Sequence, residues 1–464
     1  MTMDAGSDHS SFAMPDRSGP AGPFSTAPTR PAHVLVAAYA CNPFLGSEEA
    51  VGWDWARSIA AIAGKVTVIT ADFHRADIAA AQEAVREAAT GAMARQSNLR
   101  FVHVPHRPFH YRPTPLWKRI ENSLAKPVMN LAYAQWQRDA YRVARALAAE
   151  ERFDLVHQLT YVGFRFPGHL WRLGLPFVWG PIGGLENTPW RLLPAMGRAG
   201  AIYYGGRNIV NSAQRRWLRS PRRAVAAAGP GLIAATGSIR GEIAALYGAA
   251  STVISEVVAP VEISAASPRQ RQPDEPLRIV WSGLHLPGKA LNLLIEALAP
   301  IRGNVAFELH ILGDGPKRAE WQRLAEQRGL ADRCVWHGML PRDRALSVMQ
   351  AGHLLAITSL KDLTSTVLLE GLALGLPVVC PDHCGFAEVV TPHCGIKVPT
   401  ASLDGLVAGL RDAVTDLGRD EDWRQALAEG AIARGQAYGL AANRRRLAEV
   451  YAAVLAEAHA ARPR

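Results

Sequence analysis

The residues best suited to chemistry are hydroxyl and carboxylate side chains in the segment 358–382, TSLKDLTSTVLLEGLALGLPVVCPD. Three favoured helix N-caps stand in a row there: Thr364, Ser365 and Thr366. They predict a helix that begins near this run and closes at Gly375, because Pro377 cannot continue it. No acidic residue lies between 364 and 369. The first turn therefore keeps free N–H groups and a positive dipole end, both suited to a diphosphate.

Two carboxylates flank this predicted diphosphate site. Asp362 comes just before the helix, and Glu370 lies one turn inside it, roughly 6 Å along the axis from Thr366. A carboxylate one turn below a phosphate is placed to accept hydrogen bonds from ribose hydroxyls. The alternative is that Asp362 is a helix cap and Glu370 an exposed helix residue. The apolar sequence around Glu370, VLLEGLALG, favours the functional interpretation.

The elements that position these residues follow from short apolar runs that alternate with helical patterns. The runs that predict strands are 32–40, 65–70, 99–105, 153–159, 176–180, 232–236 and 252–260, then 277–283, 307–313, 334–338, 353–359, 377–380 and 396–399. Continuous apolar strands separated by helices predict buried parallel sheets with helices on both faces. Ligands of such sheets bind beyond the carboxyl ends of the strands.

The sequence therefore predicts an α/β protein with two doubly wound, Rossmann-like domains that face each other across a cleft. The polar stretch SAASPRQRQPDEP separates the two series of strands. The predicted parts are a disordered tail at 1–31, a first domain at 32–262, a linker at 263–276, a second domain at 277–440 and a C-terminal helix in 441–464. That helix follows the second sheet and could pack back on the first domain.

Bulk composition narrows the classes of function. The five cysteines are an odd number in a chain with no apparent export signal, which argues against a disulfide framework and for a cytoplasmic protein. No apolar run approaches the ~20 residues of a membrane-spanning helix. The net charge of +10 fits nucleic acid, an anionic membrane or a phosphorylated substrate. Nucleic acid is disfavoured, because zinc-finger spacing and aromatic-studded strands are both missing.

A metal site is also disfavoured. The tripeptide His-Cys-Gly occurs at 383–385 and again at 393–395. Adjacent His and Cys side chains rarely point at one tetrahedral ion, and zinc ligands are usually spaced by two or more residues. The sequence also places no Asp-x-Asp motif at a strand end in the predicted cleft. We therefore expect no metal and no cofactor.

The region 277–400 resembles the retaining glycosyltransferases of family four, which have the GT-B fold. Their signature is Glu, seven residues and Glu, followed by a helix and a Gly-x-Pro-Val-Val strand. Here the spacing runs from Asp362 to Glu370, and GLPVV follows at 375–379. The segments KALNLLIEAL and GDGP upstream, and GFAEVV and GIKVP downstream, are similar to the family in the same order.

The resemblance implies that the second domain binds a nucleoside-diphosphate sugar. It implies catalytic roles for Asp362, on the donor sugar, and for Lys289, on the diphosphate. The residues implied on the donor side are Gly283, His285, Gly313, Thr364, Ser365, Thr366 and Glu370. Two features depart from the family, namely Asp362 in place of Glu and SGLH at 282–285 in place of a Gly-Arg pair. His285 could supply part of the missing charge, or it could be an ordinary loop histidine.

The first domain is expected to bind the acceptor. Its first strand leads through Gly46 and Ser47 to a helix that opens with Glu48 and Glu49, and two carboxylates there would repel a phosphate but could bind hydroxyls. The family's histidine after the fifth strand is absent from PFVWGPIGG. Two glycines of that turn could bring backbone amides into the cleft instead: Gly183 and Gly184. His157 is the nearest substitute histidine, although it could also be a satisfied structural residue.

The predicted activity is transfer of a sugar to a hydroxyl of a saccharide or a lipid-linked saccharide, in surface polysaccharide assembly. Arginines interleaved with aromatics at 203–223 suit the inner face of an anionic membrane, or they form a solvated basic face. A GT-B epimerase and a non-catalytic nucleotide-sugar-binding module remain alternatives. A dinucleotide-dependent oxidoreductase is disfavoured, since no Gly-x-Gly-x-x-Gly turn follows either first strand.

Overall fold

The structure is a computed structural model that describes residues 30–46, 48–87, 98–106, 115–260 and 267–461. Residues 1–29 of the predicted tail, the acceptor-side candidate Ser47 and residues 263–266 of the predicted linker lie outside these ranges.

The first sheet consists of parallel strands in the order β3-β2-β1-β4-β5-β6-β7. These strands are β1 (His33–Ala38), β2 (Lys65–Ala71), β3 (Leu99–Val104), β4 (Leu155–Thr160), β5 (Phe177–Ile182), β6 (Leu232–Ala234) and β7 (Thr252–Val253). The helices between them are α1 (Glu48–Ile62), α2 (Arg75–Glu87), α3 (Pro115–Glu150), α4 (Gly197–Trp217), α5 (Arg219–Ala228) and α6 (Gly237–Tyr247). Every residue of β1 is buried, and alternate side chains enter two separate cores, one on each face of the sheet.

The second sheet is also parallel and has the order β10-β9-β8-β11-β12-β13. Its strands are β8 (Leu277–Ser282), β9 (Phe307–Leu312), β10 (Cys334–Gly338), β11 (Leu354–Ala356), β12 (Val378–Pro381) and β13 (Gly395–Val398). Its helices are α7 (Leu291–Leu298), α8 (Arg318–Gln327), α9 (Arg342–Gln350), α10 (Thr366–Ala373), α11 (Phe386–Val389), α12 (Leu403–Arg419) and α13 (Glu421–Ala437). Two apolar clusters cover the faces of this sheet.

Each run predicted as a strand contains one, and all the strand pairings are parallel, so the predicted fold class is confirmed. The largest difference in length is at β7, which was expected to continue to residue 260 but ends at Val253. The chain beyond Val253 leaves the sheet, and its Glu256 binds the loop before α10 in the second domain.

The last helix, α14 (Leu440–Ala460), lies against the first sheet although it follows the second one in the chain. Val450, Tyr451 and Val454 are buried in the same cluster as the strand residues Val34 and Val36. This helix therefore ties the end of the chain to the first domain. Among the described helices, none combines the length and the apolarity needed to cross a membrane.

Candidate active site

The two residues predicted to be catalytic meet at the carboxyl end of the second sheet. Lys289 ends a short 3-10 turn after β8, and Asp362 lies in the loop between β11 and α10. Lys289 Nζ and Asp362 Oδ2 are 2.5 Å apart, and both side chains are mostly buried. An ammonium held in this position can neutralise the charge of a bound phosphate. The paired carboxylate can accept hydrogen bonds from a sugar.

Backbone hydrogen bonds join the two loops that carry this ion pair. Thr358 Oγ1 donates to the carbonyl of Lys289 at 2.7 Å and accepts from Trp281 Nε1 at 2.9 Å. The amide of Leu360 donates to the carbonyl of Gly288 at 2.8 Å. The separation of Lys289 and Asp362 is therefore set by buried backbone contacts rather than by the ion pair alone.

Bare backbone lines the ends of three neighbouring strands. Gly313 has φ 107°, and a Cβ there would lie 2.1 Å from the carbonyl oxygen of Gly283, so only glycine fits. The amide of Gly313 donates to the carbonyl of Gly338 at 2.8 Å. The predicted donor-side residues Gly283 and Gly313 thus lie together, where the ends of β8, β9 and β10 meet.

His285 does not supply the missing positive charge. Its ring is fully buried and lies against the rings of Trp281, Trp321 and Trp336. Neither ring nitrogen has a hydrogen-bond partner among the described residues. Burial lowers the pKa of His285, so the imidazole is neutral at pH 7. Of the two interpretations of His285, the structure therefore supports the ordinary loop histidine over a residue that supplies positive charge.

The helix at the diphosphate site begins at Thr366, two residues later than the sequence predicts. Ser365 is its N-cap, with φ 73°, which places Thr364 outside the helix. The amide and the hydroxyl of Thr364 donate to the two carboxylate oxygens of Glu256, both at 2.9 Å. Because both donors are taken, Thr364 is not a free phosphate ligand. Of the predicted diphosphate ligands, this leaves Ser365, Thr366 and the first-turn amides of α10.

Glu256 is a functional candidate that the sequence reasoning missed. It lies beyond β7, is buried, and its carbonyl accepts a hydrogen bond from Trp55 Nε1 at 3.0 Å. Burial raises the pKa of Glu256 to about 7. The sequence contained one signal for this residue, namely a single carboxylate inside the apolar run VISEVVAP. Such a carboxylate is expected to be buried, and a buried carboxylate requires hydrogen-bond partners.

Glu370 lies inside α10, as predicted, and its side chain is nearly buried. Arg342, the first residue of α9, donates to Glu370 Oε1 from Nε at 3.2 Å and from Nη2 at 2.9 Å. Burial raises the pKa of Glu370, and the charge of Arg342 opposes that rise. The two hydrogen bonds from Arg342 fix the orientation of the Glu370 carboxylate.

Of the predicted acceptor-side residues, Glu48 lines a cavity of about 890 Å³ in the first domain. Glu48, at the start of α1, lines it together with Tyr39 and Tyr161. Glu48 Oε1 accepts the amide of Val162 at 3.4 Å, whereas Oε2 is buried without a partner among the described residues. Burial raises the pKa of Glu48 to about 7. Gly46 is exposed on the preceding loop.

The turn after β5 contacts the loop between β11 and α10, here called the donor loop, across the cleft. A Cβ on Gly183 would lie 2.8 Å from Leu363 Cδ1, so the absence of a side chain permits the approach of the two domains. The amide of Gly183 donates to the carbonyl of Val162 at 2.5 Å and is not available to a ligand. This result corrects the expected role of Gly183 as an amide donor. Gly184 has φ 75° and continues the turn.

The structure also corrects the assignment of His157 to the acceptor side. His157 is fully buried in β4, where Nδ1 contacts the hydroxyl of Tyr451 at 2.8 Å and Nε2 contacts the carbonyl of Gly180 at 2.8 Å. Burial lowers its pKa to about 4, so the ring is neutral at pH 7. The two ring nitrogens therefore connect β4 to α14 and to β5. His157 is thus the satisfied structural residue of the second interpretation.

The histidine and cysteine pairs at 383–384 and 393–394 do not form a metal site in the structure. Over the described ranges, no group of three or more His, Cys, Asp or Glu side chains is arranged to hold an ion. Cys384 and Cys394 are buried within an apolar cluster.

Comparison with known proteins finds a family match for the region that carries Lys289 and Asp362. Residues 263–430 match the family of glycosyl transferases group 1. The chain is 36% identical over 112 residues to 2-deoxystreptamine N-acetyl-D-glucosaminyltransferase of Streptomyces fradiae, covering 24% of this chain and 26% of that protein. It is 29% identical over 181 residues to alpha-D-kanosaminyltransferase of Streptomyces kanamyceticus, covering 38% and 46%. The chain thus spans less than half the length of these relatives.

A solved structure extends the likeness in fold to both domains. The crystal structure of Anabaena HepE in complex with UDP superposes with a TM-score of 0.55 over 91% of this chain and 99% of that one, at 16% identity. The two parallel sheets described above therefore form the GT-B fold. Residues 263–430, which match the group 1 glycosyl transferases, carry Lys289, Asp362 and Glu370 within this fold.

Proposed function

We propose that the protein is a retaining glycosyltransferase of family four that moves a sugar from a nucleoside-diphosphate sugar to a hydroxyl acceptor. The observation that carries this proposal is the Lys289–Asp362 ion pair, which lies at the strand ends of a group 1 glycosyl transferase domain. Ser365 and Thr366 open α10 nearby, and Glu370 lies one turn further along the same helix. Together these residues can contact the diphosphate, the sugar and the ribose of a nucleotide sugar.

The proposed reaction depends on stabilising charge as the donor breaks. The bond between the sugar's anomeric carbon and the diphosphate oxygen breaks, and its electron pair stays with the diphosphate. The acceptor oxygen bonds to the same face of the anomeric carbon, and its proton passes to the leaving phosphate oxygen. Lys289 and the first-turn amides of α10 stabilise the departing diphosphate. Asp362 holds the sugar, and no metal takes part.

Several observations support the choice of substrates. The first-domain cavity of about 890 Å³ has room for a saccharide, and the carboxylate residue Glu48 lines it. The relatives named above are named for the transfer of N-acetylglucosaminyl and kanosaminyl groups. A solved structure with the same fold contains UDP. We infer a nucleoside-diphosphate sugar as donor and a saccharide or lipid-linked saccharide as acceptor.

An exposed surface on α4 favours a lipid-linked acceptor in surface polysaccharide assembly. Apolar side chains that face solvent follow this helix, among them Ile202, Ile209 and Trp217, with Trp217 74% exposed. Arg216, Arg219 and Arg223 lie beside its carboxyl end. Apolar side chains flanked by arginines suit the headgroup region of an anionic membrane. We propose that the protein attaches peripherally to the inner face of the cell membrane through this surface.

The enzymatic proposal is tested with a panel of UDP, GDP and ADP sugars and a panel of saccharide acceptors. We expect release of a nucleoside diphosphate, a product whose anomeric configuration by NMR equals that of the donor, and an unchanged rate in EDTA. Inversion would contradict the retaining mechanism. Loss of turnover in EDTA, restored by one divalent ion, would contradict the metal-free mechanism. Conversion of the donor sugar without an acceptor would favour the epimerase, and a thermal shift without turnover would favour a binding module.

Membrane attachment is tested by flotation with anionic and with neutral liposomes at low salt. We expect the protein to float with anionic liposomes and to lose most of this binding in the double variant Ile202→Ser/Trp217→Ser. Trp423→Ser changes an exposed tryptophan on the second domain and is the matched control. If the protein does not float at low salt, the basic segment is a solvated face.

A further inference from the structure

The guanidinium of Arg165 is held in the acceptor cavity by neutral groups. Its Nε donates to Gln214 Oε1 and its Nη2 donates to Asn211 Oδ1, both on α4. The charged group also lies 4.7 Å from the centre of the Phe164 ring. Amide oxygens and an aromatic ring fix the orientation of an arginine without neutralising its charge.

The groups that orient Arg165 are themselves fixed. The side-chain amide of Asn211 donates to the carbonyl of Leu185 at 3.2 Å and to Asn187 Oδ1 at 2.8 Å, and Asn211 is almost completely buried. A Cβ on Gly184 would lie 3.7 Å from Arg165 Nη1. Because glycine stands there, the remaining face of the guanidinium is not covered by a side chain from this turn.

A second arginine increases the unbalanced charge. Arg207 lines the same cavity from α4. Burial, together with the charge of Arg207, lowers the pKa of Arg165 to about 10, so Arg165 is still charged at pH 7. Neither has a carboxylate within ion-pair distance in the part of the chain that the structure describes. Arg215, on the same helix, is different because Nη1 lies 2.8 Å from Glu242 Oε2.

Two adjacent cations without a counter-ion repel each other, and a bound anion removes that repulsion. The same cavity holds Glu48, which the raised pKa leaves only partly ionised at pH 7. Repulsion between Glu48 and an anion is therefore limited. The cavity thus combines Glu48, which can bind a hydroxyl, with the two cationic side chains of Arg165 and Arg207.

The subsite adjoins the donor loop. Lys361 immediately precedes Asp362, and its pKa is lowered chiefly by burial, with the charges of Arg207 and Arg165 contributing in the same direction. The two arginines are thus within electrostatic range of the loop that is proposed to hold the donor sugar. The cavity that they line is nevertheless built from first-domain residues, whereas Lys289 serves the donor from the second domain.

We infer that Arg165 and Arg207 form a binding subsite for an anionic group of the acceptor, a phosphate or a carboxylate carried near the reacting hydroxyl. This inference rests on the proposed function, because it assigns the cavity to the acceptor. The acceptor would be an acidic or phosphorylated saccharide, oriented by its anion on the two arginines while its hydroxyl contacts Glu48.

The test uses calorimetry with inorganic phosphate and glucose 6-phosphate as probes. The protein is first saturated with whichever of UDP, GDP or ADP raises its Tm most, so that the donor site is filled. We expect glucose 6-phosphate to bind the wild type under these conditions. We expect Arg165→Gln/Arg207→Gln to weaken binding of both probes about ten- to a hundredfold, because each lost partner is a charged hydrogen-bond donor. Affinity for the nucleoside diphosphate should stay unchanged.

Three variants make the result decisive. Arg145→Gln removes an exposed arginine of α3 that does not line the cavity, and it should bind the probes as the wild type does. Arg207→Gln alone changes an exposed side chain, so its effect is not a folding defect. Arg165→Lys keeps the charge and should retain part of the affinity.

The inference would be overturned by any of four outcomes. The probes could fail to bind the saturated wild type, or they could bind equally well to the double variant. The double variant could also lose affinity for the nucleoside diphosphate as strongly as for the probes, which would assign the arginines to the donor. Sugar transfer to an uncharged acceptor at full rate would leave the proposed function intact while contradicting this subsite.

Discussion

The helices α1 and α10 begin on opposite sides of the cleft and differ in the charge of their first turns. Glu48 and Glu49 open α1, whereas no acidic residue lies in the first turn of α10. From the helix dipole alone, anions belong at α10 and hydroxyl groups at α1. The structure changes this division, since Arg165 and Arg207 add positive charge beside α1 and Glu256 occupies the donors of Thr364 just before α10.

The difference shows that the charge of a helix terminus is set by the residues that surround it in the fold, as well as by its own first turn. Glu48 and Glu256 are distant in sequence, yet burial raises the pKa of both to about 7, and the charge of Glu256 contributes to the rise for Glu48. The two sides of the cleft are thus coupled by a pair of buried carboxyl groups. The predictions below test each side separately.

The largest expected effect is on the donor side, at Lys289. Lys289→Met removes the ammonium that is proposed to stabilise the departing diphosphate, and we expect kcat to fall roughly 10²- to 10³-fold, as for other preorganised transition-state donors. Lys65→Met is the control, because Lys65 forms its ion pair with Glu151 on the surface of the first domain. Steady-state kinetics with a saturating donor measure the effect. A change confined to KM would assign Lys289 to ground-state binding only.

Glu370 and Asp362 should differ in what they bind. Glu370→Ala removes the acceptor of the proposed ribose hydrogen bonds, and we expect affinity for the bare nucleoside diphosphate to fall about ten- to a hundredfold. Asp362→Asn should leave that affinity nearly unchanged and lower the rate of sugar transfer. Calorimetry and transfer rates on both variants provide the measurement. Equal losses of diphosphate affinity would mean that the pocket recognises an anion without distinguishing ribose from sugar.

The sequence predicted the strands because buried parallel strands appear as continuous apolar runs, and it brought Lys289 and Asp362 together because both follow strands of one sheet. The sequence could not predict which hydrogen-bonding groups of the candidate residues are already bonded within the protein. Thr364 is bonded to Glu256, 108 residues earlier, and His157 to Tyr451, 294 residues later. The first pairing depends on how the two domains dock, and the second depends on how α14 packs on the first sheet. No local sequence pattern records either arrangement.

A smaller effect is expected at Glu256, which we predict to be a positioning residue for the donor loop. Glu256→Ala leaves the amide and the hydroxyl of Thr364 without their partner. Because Thr364 lies in the same loop as Asp362, we expect this loop to shift and kcat/KM for the donor sugar to fall about tenfold. Glu256→Gln keeps an acceptor oxygen for Thr364 and should restore part of the loss. If the two variants are equally impaired, hydrogen bonding to Thr364 is not what positions the loop.

The smallest effect concerns the pH dependence of stability. The pKa of Glu48 and of Glu256 is about 7 in the folded protein, against 4.5 for an ordinary glutamate. Between these values the folded state binds protons that the unfolded state releases, so both residues make the free energy of unfolding fall as pH rises from about 4.5 through about 7. Each carboxyl contributes at most about 1.4 kcal/mol per pH unit over that interval.

The glutamine variants remove this titration. For Glu48→Gln and for Glu256→Gln, we expect the free energy of unfolding, measured by urea denaturation, to fall less between pH 5 and pH 7.5 than it does for the wild type. Glu429→Gln, on an exposed face of α13, should follow the wild-type curve. Because the charge of Glu256 contributes to the raised pKa of Glu48, the double variant should change the slope by less than the sum of the two single variants. Strict additivity would show that the carboxyl groups on the two sides of the cleft titrate independently.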